Sequence, residues 1–207
     1  MPVSQYTFAG MIEVLGEQIS WLELAGTLFG ILGVWLTIKQ NIFCFPAGII
    51  NVGMYAVLFF QSKLYSDAAL QIIYIILLVY GWMQWKTKQQ QKELPVTKTE
   101  QPLLILIAVL GIGATFLLGT FLYSKTDAAL PYFDALTTVM SLIAQWMIAR
   151  KKIENWIIWI VADVIYVGMY IYKELYLTSG LYFIFILLAV KGYVEWKKSL
   201  NQIPSGA

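Results

Sequence analysis

Seven apolar segments, each long enough to cross a lipid bilayer, occupy most of this 207-residue chain. A hydrocarbon core about 30 Å thick is crossed by roughly 20 helical residues, and lipid offers the backbone no hydrogen-bond partners. We therefore predict an all-α integral membrane protein with seven transmembrane helices. The predicted spans are residues 21–38, 42–60, 66–85, 102–123, 131–149, 155–173 and 178–196.

The composition supports a membrane protein and limits the side chains that could bind a metal or perform catalysis. Hydrophobic residues make up 59% of the chain and charged residues 13%, about half the charged fraction of a typical soluble protein. There is no histidine, and Cys44 is the single cysteine, so a disulfide within the chain and a His/Cys metal site are excluded. We expect no metal and no cofactor. Only isolated carboxylates remain for acid–base chemistry, which argues against an enzyme.

Residues 1–20 form a segment in which apolar and acidic side chains alternate. The segment contains no Lys or Arg, which argues against a cleavable signal peptide with a positive amino end. Met11, Ile12 and Val14 alternate with acidic residues such as Glu13. We predict an amphipathic helix that lies at the membrane interface, with a short extra span as the alternative.

The distribution of Lys and Arg predicts the orientation of the spans. One set of alternate loops carries ten of these residues: Lys39, Lys86, Lys88, Lys92, Lys98, Arg150, Lys151, Lys152, Lys197 and Lys198. The opposite loops carry Lys63, Lys125 and Lys173, and Lys191 lies inside the last span. Because cytoplasmic loops are enriched in Lys and Arg, we place the amino end outside and the tail, residues 199–207, in the cytoplasm. This pattern requires no nucleic acid and no specific lipid as a partner.

The chain also contains an internal repeat. The sequence VGMY at residues 52–55 recurs at residues 167–170, a shift of 115. The pattern GWMQWK at residues 81–86 recurs as GYVEWK at residues 192–197, a shift of 111. We interpret the different shifts as a few residues inserted near Phe60.

The repeat divides the chain into two groups of three spans. The first repeat covers residues 21–85 and the second covers residues 131–198, while residues 86–130 contain a polar cytoplasmic linker and one connector helix. Three spans plus one connector return the second repeat to the orientation of the first. The repeats are therefore parallel, a 3+1+3 arrangement that is also found in the SWEET sugar transporters, and we expect a substrate site between the halves near the membrane midplane.

A stripe of aromatic and acidic side chains on the sixth span is the strongest candidate for that site. Trp156, Trp159, Asp163, Tyr166 and Tyr170 recur at steps of three and four, which places them on one helix face. A carboxylate at the bilayer centre costs about 2.5–3.5 kcal/mol, so Asp163 should face the bundle interior, as a ligand contact or an interhelical clasp. Trp159 lies one turn deeper than Trp156, for which an interfacial anchor is the alternative.

Five further polar side chains in apolar spans are candidates for binding: Asn51, Gln145, Asn155, Tyr74 and Gln84. Asn51 and Gln145 can both donate and accept, although an interhelical hydrogen bond worth about 0.6 kcal/mol is the alternative for each. In the 115-residue register, Asp163 corresponds to Gly48 and Tyr166 corresponds to Asn51. The two halves would then place different groups at the same depth, as an asymmetric ligand requires.

These motifs resemble those of the PnuC family of vitamin B3 transporters, over about residues 20–198. The matching segments are WIIW at 156–159 with Asp163, FPAGIIN at 45–51, KLYSD at 63–67, LQ at 70–71, GWMQW at 81–85 and AQW at 144–146. One departure is the Cys44-Phe45 pair ahead of the proline, where many relatives have a tryptophan. The resemblance implies that the substrate is nicotinamide riboside, a flat pyridinium cation that carries a ribose.

The resemblance also implies how such a protein works. We expect a SWEET-related 3+1+3 fold, often a homotrimer, in a bacterial inner membrane. Transport would be facilitated diffusion, made one-way by a cytoplasmic kinase that phosphorylates the arriving riboside. The sequence has no Gly-rich phosphate loop of the Walker type that would couple transport to nucleotide hydrolysis. The alternatives are another vitamin (thiamine or riboflavin), a sugar, and, from other classes, a channel or a membrane enzyme.

Overall fold

The computed structural model describes residues 11–14, 17–61, 65–89, 94–126 and 128–201. Within these residues it contains seven α-helices and two short β-strands. The elements are β1 (Met11–Val14), β2 (Glu17–Ser20), α1 (Trp21–Ile38), α2 (Cys44–Gln61), α3 (Tyr65–Gln89), α4 (Gln101–Lys125), α5 (Pro131–Ala149), α6 (Asn155–Tyr172) and α7 (Tyr176–Asn201). Each predicted span corresponds to one of these helices.

The segment ahead of α1 differs from the prediction. β1 and β2 pair as an antiparallel ladder in which Ile12 lies opposite Ile19. The predicted interfacial helix is therefore wrong for these strand residues, and the first ten residues lie outside the described part of the chain. Segments of four residues are too short for a period of two to be distinguished from a helical period, whereas β-branched residues such as Ile12 and Ile19 favour a strand.

Six of the described helices are long and apolar enough to cross a membrane, and α5 falls short of them. The reason is a set of polar residues on α5 that includes Asp134, Thr137, Ser141 and Gln145. Thr137 and Ser141 are buried inside the bundle. The polarity of α5 therefore reflects its inward face, while its outward residues remain apolar.

The contacts between helices close a ring. The order around the ring is α1, α2, α3, α5, α6, α7 and back to α1, while α4 packs on the outside against α5. The first three helices and the last three thus meet along two seams, between α3 and α5 and between α1 and α7. Helix α4 takes no part in the ring itself and contacts it through α5.

The two groups of helices match in a single register. α2 and α6 each have 18 residues, and Cys44 and Asn155, the first residues of these helices, are 111 apart in sequence. The predicted insertion near Phe60 and the 115-residue register for this helix pair are therefore wrong. In the 111-residue register Asp163 is equivalent to Val52 and Tyr166 to Tyr55. A slip of four residues keeps the same helix face, so a short sequence match cannot reveal it.

Two hydrogen bonds across the seams follow this register. Trp85 Nε1 on α3 donates to the Ile148 carbonyl on α5 at 3.3 Å. Trp196 Nε1 on α7 donates to the Thr37 carbonyl on α1 at 3.1 Å. Both donor and acceptor are shifted by 111 residues between the two bonds, so each group of helices donates to the other in the same way.

The tightly packed part of the core lies at the end of the bundle where these hydrogen bonds occur. Here the loops that carry Lys39 and Arg150 to Lys152 come together, and we call this the basic end. Phe45 and Trp85 meet edge to face at 5.0 Å between ring centroids, and Trp156 and Trp196 meet edge to face at 5.4 Å. These two pairs are also related by the 111-residue shift.

The contact between α6 and α7 at this end depends on a glycine. A Cβ atom on Gly192 would lie 2.6 Å from the Trp156 ring, whereas a Cβ atom on Gly168 would meet no atom within 4 Å. We expect Gly192→Ala to destabilise the protein by about 1–3 kcal/mol, because overpacking displaces a buried ring. Thermal unfolding in detergent measures the effect. Gly168→Ala is the matched control and should not lower the melting temperature; equal losses in both variants would contradict the prediction.

Candidate functional site

The predicted stripe on α6 faces the interior of the bundle. Asp163 is 3% exposed and Trp156 is 2% exposed, whereas Val164 and Ile157 on the opposite face are 55% and 48% exposed. The apolar outer face fits lipid, and the aromatic and acidic face fits the ring of helices around it. The inward orientation that the cost of a lipid-facing carboxylate predicts is therefore confirmed.

Asp163 is the most unusual residue of this face. Among the described residues, no side chain or backbone group donates a hydrogen bond to its carboxylate, and none forms an ion pair with it. The interhelical clasp that the sequence left open as an alternative is absent from this part of the chain. A buried carboxylate without a partner is destabilising, and a cation or a hydroxyl donor beside it relieves that cost.

Three tyrosine rings lie next to Asp163 along the helix axis, and we call them the tyrosine cluster: Tyr166, Tyr170 and Tyr182. Tyr166 and Tyr170 follow Asp163 on α6, and Tyr182 reaches them from α7. The Tyr182 centroid lies 4.6 Å from Tyr166 and 5.2 Å from Tyr170. The rings provide aromatic faces and three hydroxyl groups within one turn or two of the carboxylate.

Helices α3 and α5 add hydroxyl groups to the same region. The Ser141 hydroxyl lies beside both the Tyr74 and the Tyr166 hydroxyls, and Tyr166 also interacts with Thr137. Thr137, Ser141 and Gln145 are four residues apart, so they share one face of α5. Gln145 therefore faces the same side as Ser141, one turn nearer to the basic end.

The first group of helices contributes Asn51 from α2. Its amide nitrogen donates to the Gly26 carbonyl on α1 at 2.7 Å, so the interhelical hydrogen bond that was its alternative role is present. Its carbonyl oxygen accepts no hydrogen bond from the described residues. Asn51 also lies against Gly30, where a Cβ atom would be 3.0 Å from the amide nitrogen. Asn51 thus has one acceptor left for a ligand.

The structure does not bring all predicted residues together. Asn155 and Trp156 lie at the basic end, and Asp163 follows Asn155 by eight residues, about 12 Å along the helix. Asn155 Nδ2 donates to the Lys152 carbonyl at 2.6 Å, which uses part of its capacity. Gln84 is ten residues from Tyr74, about 15 Å along α3, and also lies towards the basic end.

Tryptophan plays two different roles on α6. Trp156 is packed edge to face against Trp196, as a core residue. Trp159 is half-buried and packs at the margin of the apolar core, between Trp156 and Asp163. The side-chain Nε1 of Trp156 and Oδ1 of Asn155 are buried without a hydrogen-bond partner in the described chain. Trp159 therefore keeps part of its side chain exposed, whereas Trp156 is buried in the core.

The charges at the far end of the bundle are organised differently from those at the basic end. Glu23 and Asp134 lie in the first turns of α1 and α5. Lys173 Nζ lies 3.8 Å from Asp134 Oδ1.

In the described residues no group of His, Cys, Asp and Glu side chains could hold a metal ion. The site itself is thus aromatic, hydroxyl-rich and anionic, which suits a flat organic cation with hydroxyl groups.

Sequence reasoning missed three residues of this region. Tyr182 comes from α7, where the buried Ser179, three residues earlier, was the polar neighbour at helical spacing that could have marked it. The sequence does contain a signal for Thr137 and Ser141, because they lie four residues apart in an apolar span that also contains Gln145. Polar residues at that spacing indicate an inward face of a membrane helix.

Known proteins with sequences similar to this chain are membrane transporters. The sequence profile of the nicotinamide mononucleotide transporter family matches residues 20–198. The nicotinamide riboside transporter PnuC of Escherichia coli is 28% identical over 218 residues, which cover 93% of this chain and 91% of that protein. The riboflavin/roseoflavin transporter RibM of Streptomyces davaonensis is 24% identical, with 87% of this chain and 86% of that protein covered.

A solved structure agrees on the fold. The crystal structure of the vitamin B3 transporter PnuC superposes with a TM-score of 0.70 at 24% identity, and the match covers 88% of this chain and 83% of that one. The profile match spans all seven helices described above. The chain therefore belongs to the nicotinamide mononucleotide transporter family, a family of membrane transporters and not of enzymes.

Proposed function

We propose that this protein carries nicotinamide riboside across a bacterial inner membrane by facilitated diffusion. The observation that carries the proposal is the buried Asp163 carboxyl group, which has no partner among the described residues and shares its helix face with Tyr166 and Tyr170, which pack against Tyr182. A pyridinium ring needs an aromatic surface and a negative charge, and a desolvated cation–π contact contributes about 2 kcal/mol or more. The names of the Escherichia coli and Neisseria mucosa relatives, both nicotinamide riboside transporters, support the same ligand.

Each candidate residue has a role in this proposal. Asp163 and the tyrosine cluster hold the pyridinium ring, and Trp159 closes the side towards the basic end. Tyr74, Asn51 and Gln145 supply hydrogen bonds to the carboxamide and the ribose. Asn155, Trp156 and Gln84 lie nearer to the basic end, so they would contact the riboside as it leaves the central site and not while it is bound there.

The proposed architecture is the parallel 3+1+3 arrangement related to SWEET transporters. The support is the constant 111-residue register and the two reciprocal tryptophan hydrogen bonds, which a two-fold axis along the membrane normal would generate. We take α5 as the seventh span because its polar residues face inward. The amino end would lie outside and the carboxyl end in the cytoplasm, because the basic loops gather at one end of the bundle.

Nothing in this mechanism requires an energy source within the chain. Alternating access to the central site would equilibrate the riboside, and a cytoplasmic kinase would trap it by phosphorylation. We also propose a homotrimer, as the resemblance implies, with lipid around it. Uptake into proteoliposomes tests the energetics: accumulation above equilibrium without a kinase would contradict facilitated diffusion.

The identity of the ligand is tested by titration calorimetry on the purified protein. We expect saturable binding of nicotinamide riboside and at least about tenfold weaker binding of riboflavin, because riboflavin is larger and carries no fixed positive charge for Asp163. Riboflavin is the sharpest competitor, since one relative is named a riboflavin transporter. Thiamine, which is cationic, controls for charge alone. Tighter binding of either competitor would move the assignment to that vitamin.

A further inference from the structure

Two residues at equivalent helix ends have an unusual backbone conformation. Gln40, after α1, has a φ of 54° and Lys151, after α5, has a φ of 48°. In both cases the next residue donates its backbone N–H back to a carbonyl five positions earlier, at 2.9 Å. Glycine is the usual residue at this left-handed position of a helix end, and other residues are strained there.

The two side chains meet each other. Lys151 Nζ donates to Gln40 Oε1 at 3.0 Å, and Lys151 is 6% exposed. The ammonium also lies 4.5 Å from the centroid of the Trp85 ring. Gln40 and Lys151 are 111 residues apart, so they are equivalent positions of the two repeats. Equivalent residues that touch each other must lie at the axis between the repeats.

A second pair of equivalent residues lies at the same axis. Trp85 and Trp196 are also 111 residues apart, and their ring centroids are separated by 6.4 Å. Each ring packs edge to face on an aromatic residue of its own repeat, Phe45 and Trp156 respectively. The axis is thus covered twice at the basic end, first by the tryptophans and then by Gln40 and Lys151. A ligand beside Asp163 has no straight route to the basic end while both layers are in place.

The α5–α6 loop at this end is held by the linker between α3 and α4. The linker segment 94–99, which we call the strap, pairs with the α5–α6 loop through Thr97. The Thr99 hydroxyl donates to the Glu154 carboxylate at 2.8 Å, and the Thr99 backbone N–H donates to the same carboxylate. Val96 of the strap is buried in the apolar core. The strap therefore fixes the loop that carries Lys151.

In the described residues the α1–α2 loop is held differently: Gln40 Nε2 donates to the Ser199 hydroxyl on α7 at 2.9 Å. The residue of this loop that corresponds to Glu154 is Phe43, which is 65% exposed. Building on the proposed transport function, we infer that Gln40 and Lys151 form a latch that closes the site at the basic end. The latch opens when the α1–α2 loop, with Gln40, moves away from the strapped loop that carries Lys151. The latch pair would thereby set how fast the riboside is released towards the cytoplasm.

The protein contains its own reporter for this opening. Cys44 is the single cysteine, it is buried, and its backbone N–H donates to Asn41, the residue after Gln40. We expect Lys151→Gly to raise the rate at which N-ethylmaleimide labels Cys44 by about tenfold or more, the size expected for the loss of a hydrogen bond to a charged group. Glycine suits the left-handed backbone, so the helix end should be retained. Intact-protein mass spectrometry on the purified protein gives the rate.

Glu174→Gly is the matched control. Glu174 ends α6 at the opposite end of the bundle with a φ of 60° and is exposed. The same substitution there should leave Cys44 labelling unchanged. Labelling of Lys151→Gly at the wild-type rate, or an equal acceleration in Glu174→Gly, would overturn the latch.

A double variant tests whether the two residues act together. Gln40→Gly should accelerate labelling as Lys151→Gly does, and the two substitutions combined should add little, because both remove the same contact. Fully additive effects would overturn the pairing. Labelling needs no ligand, so it tests the latch independently of the assignment of nicotinamide riboside, which is tested by calorimetry.

Discussion

Replacing Asp163 by asparagine is expected to weaken the binding of nicotinamide riboside by at least about 30-fold, since removal of one partner of a buried charge pair costs about 2–5 kcal/mol. The carboxamide keeps the size of the side chain but removes the negative charge beside the tyrosine cluster. Titration calorimetry on the purified variant gives the affinity. An unchanged affinity would place the ligand elsewhere in the ring of helices.

The same substitution should act in the opposite direction on stability. Asp163 is buried and, among the described residues, has no ion pair or hydrogen bond, so the ligand-free protein holds a buried carboxyl group without a compensating partner. A neutral side chain there should raise the melting temperature or leave it unchanged. A residue with a purely structural role would lose stability and affinity together. The opposite changes therefore distinguish a binding residue from a clasp between helices.

Asp134→Asn is the matched control for Asp163→Asn. Asp134 is also a membrane-helix aspartate, but it lies in the first turn of α5 and is partly exposed next to Lys173. A pair of this exposure is worth about 0–1 kcal/mol, so its loss should change affinity by less than about fivefold. A loss as large as that of Asp163→Asn would mean that the overall negative potential, and not a specific contact, attracts the riboside.

The helices of this fold could be predicted closely from the sequence, because apolar runs of about 20 residues have few solutions in a bilayer. The N-terminal segment could not, since four-residue strands are too short for a helical period and a strand period to be told apart. The register of the two repeats could not be determined by sequence matching either. The VGMY match lies one helical turn from the register that the helix bounds define, and both registers present the same face.

The candidate site was predictable where a single helix carried the signal. Asp163 stands out because a carboxylate in an apolar span demands an interior position. Tyr182 and Ser141 become visible only when α7 and α5 are placed next to α6. Trp156 shows the opposite case: its sequence context cannot distinguish a binding surface from a packed core, and in this structure its ring packs against Trp196.

The stripe on α6 therefore contributes to two regions at different depths in the bundle. Near the basic end its side chains pack against α7 and support the layers that close the axis. One or two turns further along, the same helix face carries Asp163, Tyr166 and Tyr170, which bring hydroxyl groups and a carboxyl group that has no partner in the described residues. A rigid helix that spans both regions can couple occupancy of the site to closure of the basic end.

Tyr182→Ala is expected to weaken nicotinamide riboside binding by about 30-fold, the equivalent of about 2 kcal/mol for a desolvated cation–π contact. Tyr182 is the ring that joins α7 to the tyrosine pair on α6, within 4.6 Å and 5.2 Å of its neighbours. Tyr182→Phe keeps the ring and should retain affinity within about threefold. Tyr182→Leu keeps apolar volume without an aromatic face, so it separates loss of the ring from loss of packing.

A second ligand tests whether the Tyr182 ring recognises the positive charge of the pyridinium ring. The reduced riboside has the same carboxamide and ribose but an uncharged ring, so wild-type protein should bind it at least about tenfold more weakly. Tyr182→Leu should lose much of this preference, because an aliphatic side chain attracts a cation no better than a neutral ring. Tyr172→Ala, an exposed tyrosine at the end of α6, should keep both affinities. If Tyr182→Phe lost as much affinity as Tyr182→Ala, the hydroxyl and not the aromatic face would be the contact, and the pyridinium ring would have to lie against Trp159 instead.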